Sequence, residues 1–216
     1  MKIQKAKRVC MAQGAFRLLH GPDADWLATG KAAWECTGMR LTEKSIRHVF
    51  DLTEKQLLSL YVQESDIASP IWTAYLVADR DVLLEDKGLI DVDGASYRVL
   101  VPQEAQETQE KRPVYIEQEL IAPVLRRDAS PEYRLRIEGD VQAVAVCYGL
   151  EVAALIGPES RSAQIDEDAP VRYGADRIEQ RIRELYAIAG ETTAEDMLFE
   201  RRWSFLTELN REENEE

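Results

Sequence analysis

A chain of 216 residues with 45% hydrophobic and 31% charged residues is long enough to bury a core of its own without covalent staples. No apolar run approaches the ~18 residues that a membrane-spanning helix requires, and the basic start from Met1 to Arg8 lacks the apolar stretch of a secretory signal. The net charge of -13 disfavours direct contact with nucleic acid, whose phosphates call for a basic surface.

In chain order, Lys2 to Met11 and Ala15 to His20 read as two strands joined near Gln13-Gly14, with Ile3, Val9, Met11, Phe16 and Leu18 as apolar members. Trp26-Leu27 and Ala32-Ala33-Trp34 flank Thr29-Gly30-Lys31 as a small hairpin or a strand broken by a turn. Thr42 caps a helix whose stripe is Ile46, Val49 and Phe50, Thr53 caps a second short helix with Leu57 and Leu58, and Tyr61-Val62 open another strand. Residues 69 to 79 fit neither period. Asp81 to Asp86 reads as a short helix closed by Gly88, and Leu89 to Val92 with Ala95 to Val101 as a hairpin around Asp93-Gly94, a pair suited to positive backbone angles.

Gln103 to Arg112 is polar and nearly featureless, an exposed loop or linker. Val114 to Ile121 returns to a sheet before Pro123. Pro131 to Pro158 gives the clearest pattern: Tyr133, Leu135 and Ile137 alternate with charged residues, Val141 to Tyr148 is almost unbroken apolar sequence, and Val152 to Ile156 closes a three-stranded meander with its middle strand most buried. Ala175 to Ala189 is an amphipathic helix with Ile178, Ile182, Leu185 and Ala189 on one face and the pair Glu179 and Arg183 on the other. Thr193 and Asp196 form the capping box of a last helix, and its Leu198, Phe199, Trp203, Phe205 and Leu206 span more than one face.

Residues 26 to 56, from Trp-Leu through Ala-Ala-Trp and Leu-Thr-Glu to Phe-Asp-Leu, resemble the opening of a group of uncharacterised proteins encoded in prophages and phages of gut Firmicutes. Gly88 to Leu100 is similar to a segment that follows in that group. The resemblance implies a phage genomic setting and brings no catalytic signature to any residue; unpaired cysteines and the lack of a secretory or membrane-spanning segment point to the host cytoplasm, with a virion as the other location expected.

The candidate chemistry is sparse. His20 and His48 stand in no His-x-x-x-His or Glu-x-x-His spacing and read as turn and surface residues. Asp91-Val92-Asp93-Gly94 lacks the further acids and closing Glu of a calcium loop. Gly14, Gly21, Gly30 and Gly38 are spaced as turn residues, with no Gly-Lys-Ser or Gly-Lys-Thr following them to complete a phosphate loop. Trp26 and Trp34 read as core or interface anchors rather than a stacking platform. Cys10, Cys36 and Cys147 are an odd set without paired spacing, as expected of buried free thiols. No catalytic, cofactor-binding or metal-binding residue is expected.

Met1 to Pro22 contains five basic residues and no acid, so every carboxylate belongs to the remainder of the chain. An acidic surface of this kind keeps a protein soluble; in a sharper reading it imitates nucleic acid and occupies the groove of a DNA-binding protein. The expected fold is α+β, with antiparallel sheets, strand-rich N-terminal and central parts and a C-terminal helical hairpin. The expected division is 1–102, a linker at 103–113, and 114–216.

The expected function is a non-catalytic, phage-derived interaction protein, in one form an inhibitor of a host defence nuclease such as a CRISPR effector. The alternatives are a virion or assembly component that oligomerises through Leu198, Phe199, Trp203, Phe205 and Leu206, and an enzyme with an acidic site for a small molecule.

Overall fold

The computed structural model describes residues 1–21, 23–36, 38–66, 76–103, 112–138, 141–159 and 174–188, with residues 185–188 described by their backbone alone. Among these it contains ten strands and five helices, an α+β fold. The chain forms two compact units, each built from separated stretches: residues 1–82 with 119–157, and residues 83–118 with 158–216. Of the 103–113 stretch, expected to divide the chain, residues 104–111 lie outside the described residues.

The first unit begins with a correction. Residues read as a strand form helix α1 (Ile3–Gln13), because Ala6, Val9 and Cys10 bury one stripe at helical spacing while Lys2, Lys5 and Arg8 face outward. Gly14 ends it at φ 68, a left-handed conformation open to glycine at little cost, and its N–H bonds to the Cys10 and Met11 carbonyls. Strand β1 (Ala15–His20) follows as expected, then the hairpin of β2 (Asp25–Ala28) and β3 (Ala32–Glu35), turned by the Thr29 hydroxyl, which accepts the Ala32 N–H at 3.2 Å.

Helices α2 (Glu43–Val49) and α3 (Glu54–Leu58) carry the expected caps. The Thr42 and Thr53 side chains each accept the N–H three residues on, and Ser45 and Gln56 return the bond. The two helices carry the chain back so that β4 (Tyr61–Asp66) pairs parallel with β1, from Ala15 opposite Tyr61 to His20 opposite Asp66. A parallel neighbour needs a crossover, and this one makes the sheet mixed where an antiparallel one was expected.

The meander appears as β8 (Glu132–Glu138), β9 (Val141–Tyr148) and β10 (Glu151–Ile156). Strand β10 pairs with β3, so the unit's strand order is β4-β1-β2-β3-β10-β9-β8. The run from Ala143 to Cys147 on β9 is fully buried, which explains why it reads as continuous apolar sequence.

On one face Phe16 and Phe50 meet edge to face at 5.0 Å, and the buried Trp34 indole donates to the Leu120 carbonyl at 2.7 Å. On the other face Trp26, Ala28, Ala33, Ala143, Ala145, Cys147, Val152 and Leu155 form one cluster. An internal ion pair ties the segment before the second unit to β8. Arg136 grips Asp81 through Nε at 3.0 Å and Nη2 at 2.7 Å and reaches the Leu76 carbonyl at 3.1 Å, while Asp81 accepts the Ala78 N–H at 2.9 Å.

In the second unit, the residues expected as a short helix instead start β5 (Val82–Val92), which pairs with β6 (Ala95–Pro102) from Leu84 opposite Pro102 onward. Gly88, at φ 109, sits at the irregularity between Asp86 and Gly88, so it marks a bulge inside the strand rather than a helix end. Asp93 at φ 49 and Gly94 at φ 82 make the expected tight turn.

Strand β7 (Val114–Glu117) adds to β6 and runs into the one-turn helix α4 (Gln118–Ile121). Helix α5 (Ala175–Ile188) lays Ala175, Ile178 and Ile182 on Ile90, Val92, Tyr97, Val99 and Tyr115. The Glu179 and Arg183 pair lies 3.9 Å apart, with Arg183 exposed and Glu179 largely covered. The expected last helix lies outside the described residues.

Candidate functional site

The chemistry-bearing residues gather at one end of β1, β2 and β4. His20 is the last residue of β1 and stands opposite Asp25, the first of β2, across a short turn; on its other side β4 runs alongside. Its Nδ1 lies 2.8 Å from Asp25 Oδ1 and its Nε2 lies 3.1 Å from Glu64 Oε1. The second oxygen of Glu64 accepts the Glu43 N–H at 3.0 Å, which fixes the carboxylate against the start of α2.

The bond to Asp25 above all, and Glu64 in addition, push the His20 pKa above its usual 6.5. The Glu43 N–H, then His20 itself, hold Glu64 below the ordinary carboxylate value. Sequence reading treats His20 as a turn residue and misses both carboxylates.

Beside this cluster lies the last strand of the unit's order. Strand β4 has one neighbour among the described residues, β1, and exposes Tyr61, Gln63, Glu64 and Asp66. Immediately before it Leu58 is 84% exposed, and Tyr61 is 58% exposed, two large apolar groups at the head of an acidic strand. Tyr61, Gln63 and Asp66, exposed on the two faces of this strand, add nothing to the buried core, whereas Glu64 is held by His20 and the Glu43 N–H.

The other candidates are placed elsewhere. His48 is exposed near the end of α2. Trp26 and Trp34 are both buried and, because Trp34 pairs with Leu27 while Trp26 pairs with Glu35, they point to opposite faces and cannot stack as a platform. Asp93 forms an ion pair with Arg177 at 3.6 Å.

The cysteines are buried and free; burial pushes Cys36 and Cys147 up to about 12 and Cys10 further, so none is a reactive thiolate. Met1 and Lys2 of the basic first segment line a cleft of about 420 Å³ together with Glu35, Arg126, Arg127 and Asp128, and the Arg126 guanidinium sits 4.1 Å over the Tyr148 ring. Leu198, Phe199, Trp203, Phe205 and Leu206 lie outside the described residues.

Among the described residues no group of three or more His, Cys, Asp or Glu is arranged to hold a metal ion, and no helix is long and apolar enough to cross a membrane. No family model, no curated protein and no solved structure matches the chain.

Proposed function

We propose that the protein is a non-catalytic interaction protein that engages a protein partner through an acidic surface, with the β4 edge as its docking element. The observation that carries this reading is the conjunction of exposed Leu58 and Tyr61 with Glu64 and Asp66 on a strand that has a single neighbour among the described residues. Apolar groups supply contact area, and carboxylates select a basic counterpart and speed encounter.

Within this class the net charge of -13 favours a partner whose basic channel normally holds nucleic acid, and the resemblance to prophage-encoded proteins makes a host defence nuclease the natural target. A C-terminal helical hairpin, in which a helix bearing Leu198, Phe199, Trp203, Phe205 and Leu206 follows α5, would give the protein a surface for self-association.

The test is a pull-down from host lysate with the purified protein and with a Glu64→Lys/Asp66→Lys variant, each eluted with salt and, separately, with short double-stranded DNA. Light scattering on the protein alone runs beside it. Recovery of a nuclease that DNA displaces and the variant fails to hold supports inhibition by imitation of nucleic acid. A defined homo-oligomer that withstands salt and captures nothing overturns that reading in favour of assembly.

A further inference from the structure

We propose that His20 is a proton-operated clasp on the β4 edge: as an imidazolium it ties β4 to β2 through Glu64 and Asp25, and on losing its proton it releases Glu64. The geometry carries the argument. Both ring nitrogens lie within hydrogen-bond distance of carboxylate oxygens on two different strands, Asp25 on β2 at 2.8 Å and Glu64 on β4 at 3.1 Å. An ionised carboxylate only accepts and a neutral imidazole has one N–H, so the two contacts are attractive together only when the ring carries both protons.

The groups around the ring are mostly acidic. Asp66 stands opposite His20 on β4, Asp25 opposite it on β2, and from α2 the Glu43 backbone N–H is already bonded to Glu64. Arg40 lowers the pKa of Glu64 through space and is the other positive group acting there. When the proton leaves, the Nδ1 hydrogen stays with Asp25, the shorter bond, and the Nε2 lone pair is left facing the Glu64 carboxylate, turning an attraction into a repulsion.

The consequence falls on β4 because, among the described residues, that strand is paired only with β1. Strands β1 and β2 have neighbours on both sides and stay in place.

The raised His20 pKa and the lowered Glu64 pKa set the window. The His20 contribution is complete below the ordinary value of 6.5 and is lost as pH rises through the higher folded-state value. The Glu64 contribution is present above the ordinary 4.5 and is lost as pH falls through its lower folded-state value. The clasp therefore closes between the lowered Glu64 value and the raised His20 value and opens as pH rises through the latter. If β4 is the docking element, docking inherits this window; that consequence rests on the preceding reading, whereas the clasp does not.

With two histidines in the chain, the experiment is a nitrogen-detected NMR titration of the isolated protein, joined to amide hydrogen exchange corrected for its intrinsic pH dependence. The expected result is a His20 midpoint above 6.5, with both ring nitrogens protonated below it. Protection of the Tyr61 to Asp66 amides should fall several-fold across that midpoint while β9 protection holds. Glu64→Gln should lower the midpoint and flatten the β4 response, and His20→Gln should abolish the response.

A His20 midpoint at or below the ordinary value, or β4 protection unchanged across it in both wild type and Glu64→Gln, overturns the clasp. Since no partner enters the measurement, either result leaves the docking reading to its own test.

Discussion

At the scale of single residues, charge placement separates function from architecture. Arg136 and Asp81 approach to 2.7 Å, much as His20 and Asp25 do at 2.8 Å, yet their side chains are almost wholly removed from solvent, at 1% and 0%. Burial alone would raise the Asp81 pKa; the Arg136 bonds and the Ala78 N–H outweigh it and the net shift is downward. The pair thus contributes stability above the ordinary 3.8 and keeps it until pH falls below that value.

Asp81→Asn leaves a buried guanidinium without its counter-charge and should cost about 3–5 kcal/mol in urea unfolding. Asp81→Leu with Arg136→Met should recover part of that loss, short of all of it because the Leu76 carbonyl and Ala78 N–H lose their partners. A loss under ~1 kcal/mol for Asp81→Asn would show that water reaches the site.

At the scale of elements, local sequence decides where local interactions dominate. The capping boxes at Thr42 and Thr53 are legible because their partners stand three residues away. Thr42→Ala should cost about 1 kcal/mol in thermal or urea unfolding, and Thr42→Ser far less.

Elsewhere the short-range pattern misleads. In α1 the odd-numbered Ile3, Val9 and Met11 imitate strand alternation, but the stripe that is buried, Ala6, Val9 and Cys10, includes a residue too small to announce itself. At Val82 to Asp86 the leucines and acids favour a helix locally, and pairing of β5 with β6 overrides them. The same limit divides the candidate site. His20 and Asp25 are five positions apart across a turn, within reach of sequence reasoning, whereas Glu64 arrives from 44 positions away through a parallel pairing that no local pattern encodes.

At the scale of the whole molecule, each unit draws on two separated parts of the chain. Strand β3 pairs with β10, and α5 covers a sheet formed some sixty residues earlier or more, so cutting at the polar stretch near 103–113 divides both units. Residues 1–102 and 114–216 expressed separately should each lack a cooperative thermal transition by circular dichroism, and mixing them should restore one. A sharp transition from residues 1–102 alone would contradict the interleaving.

That interleaving also governs how the protein is made. The edge of β3 meets its partner only after about 120 further residues have been synthesised, since Trp34 pairs with Ala154. At roughly 5–20 residues per second this is on the order of 6–24 s. During that interval β3 is paired with β2 alone, and the side of Ala32-Ala33-Trp34 that later meets β10 has no mate. Slowing elongation prolongs the exposure, so rare codons between positions 35 and 150 should lower soluble yield, and a holding chaperone should be needed most while that stretch is being translated.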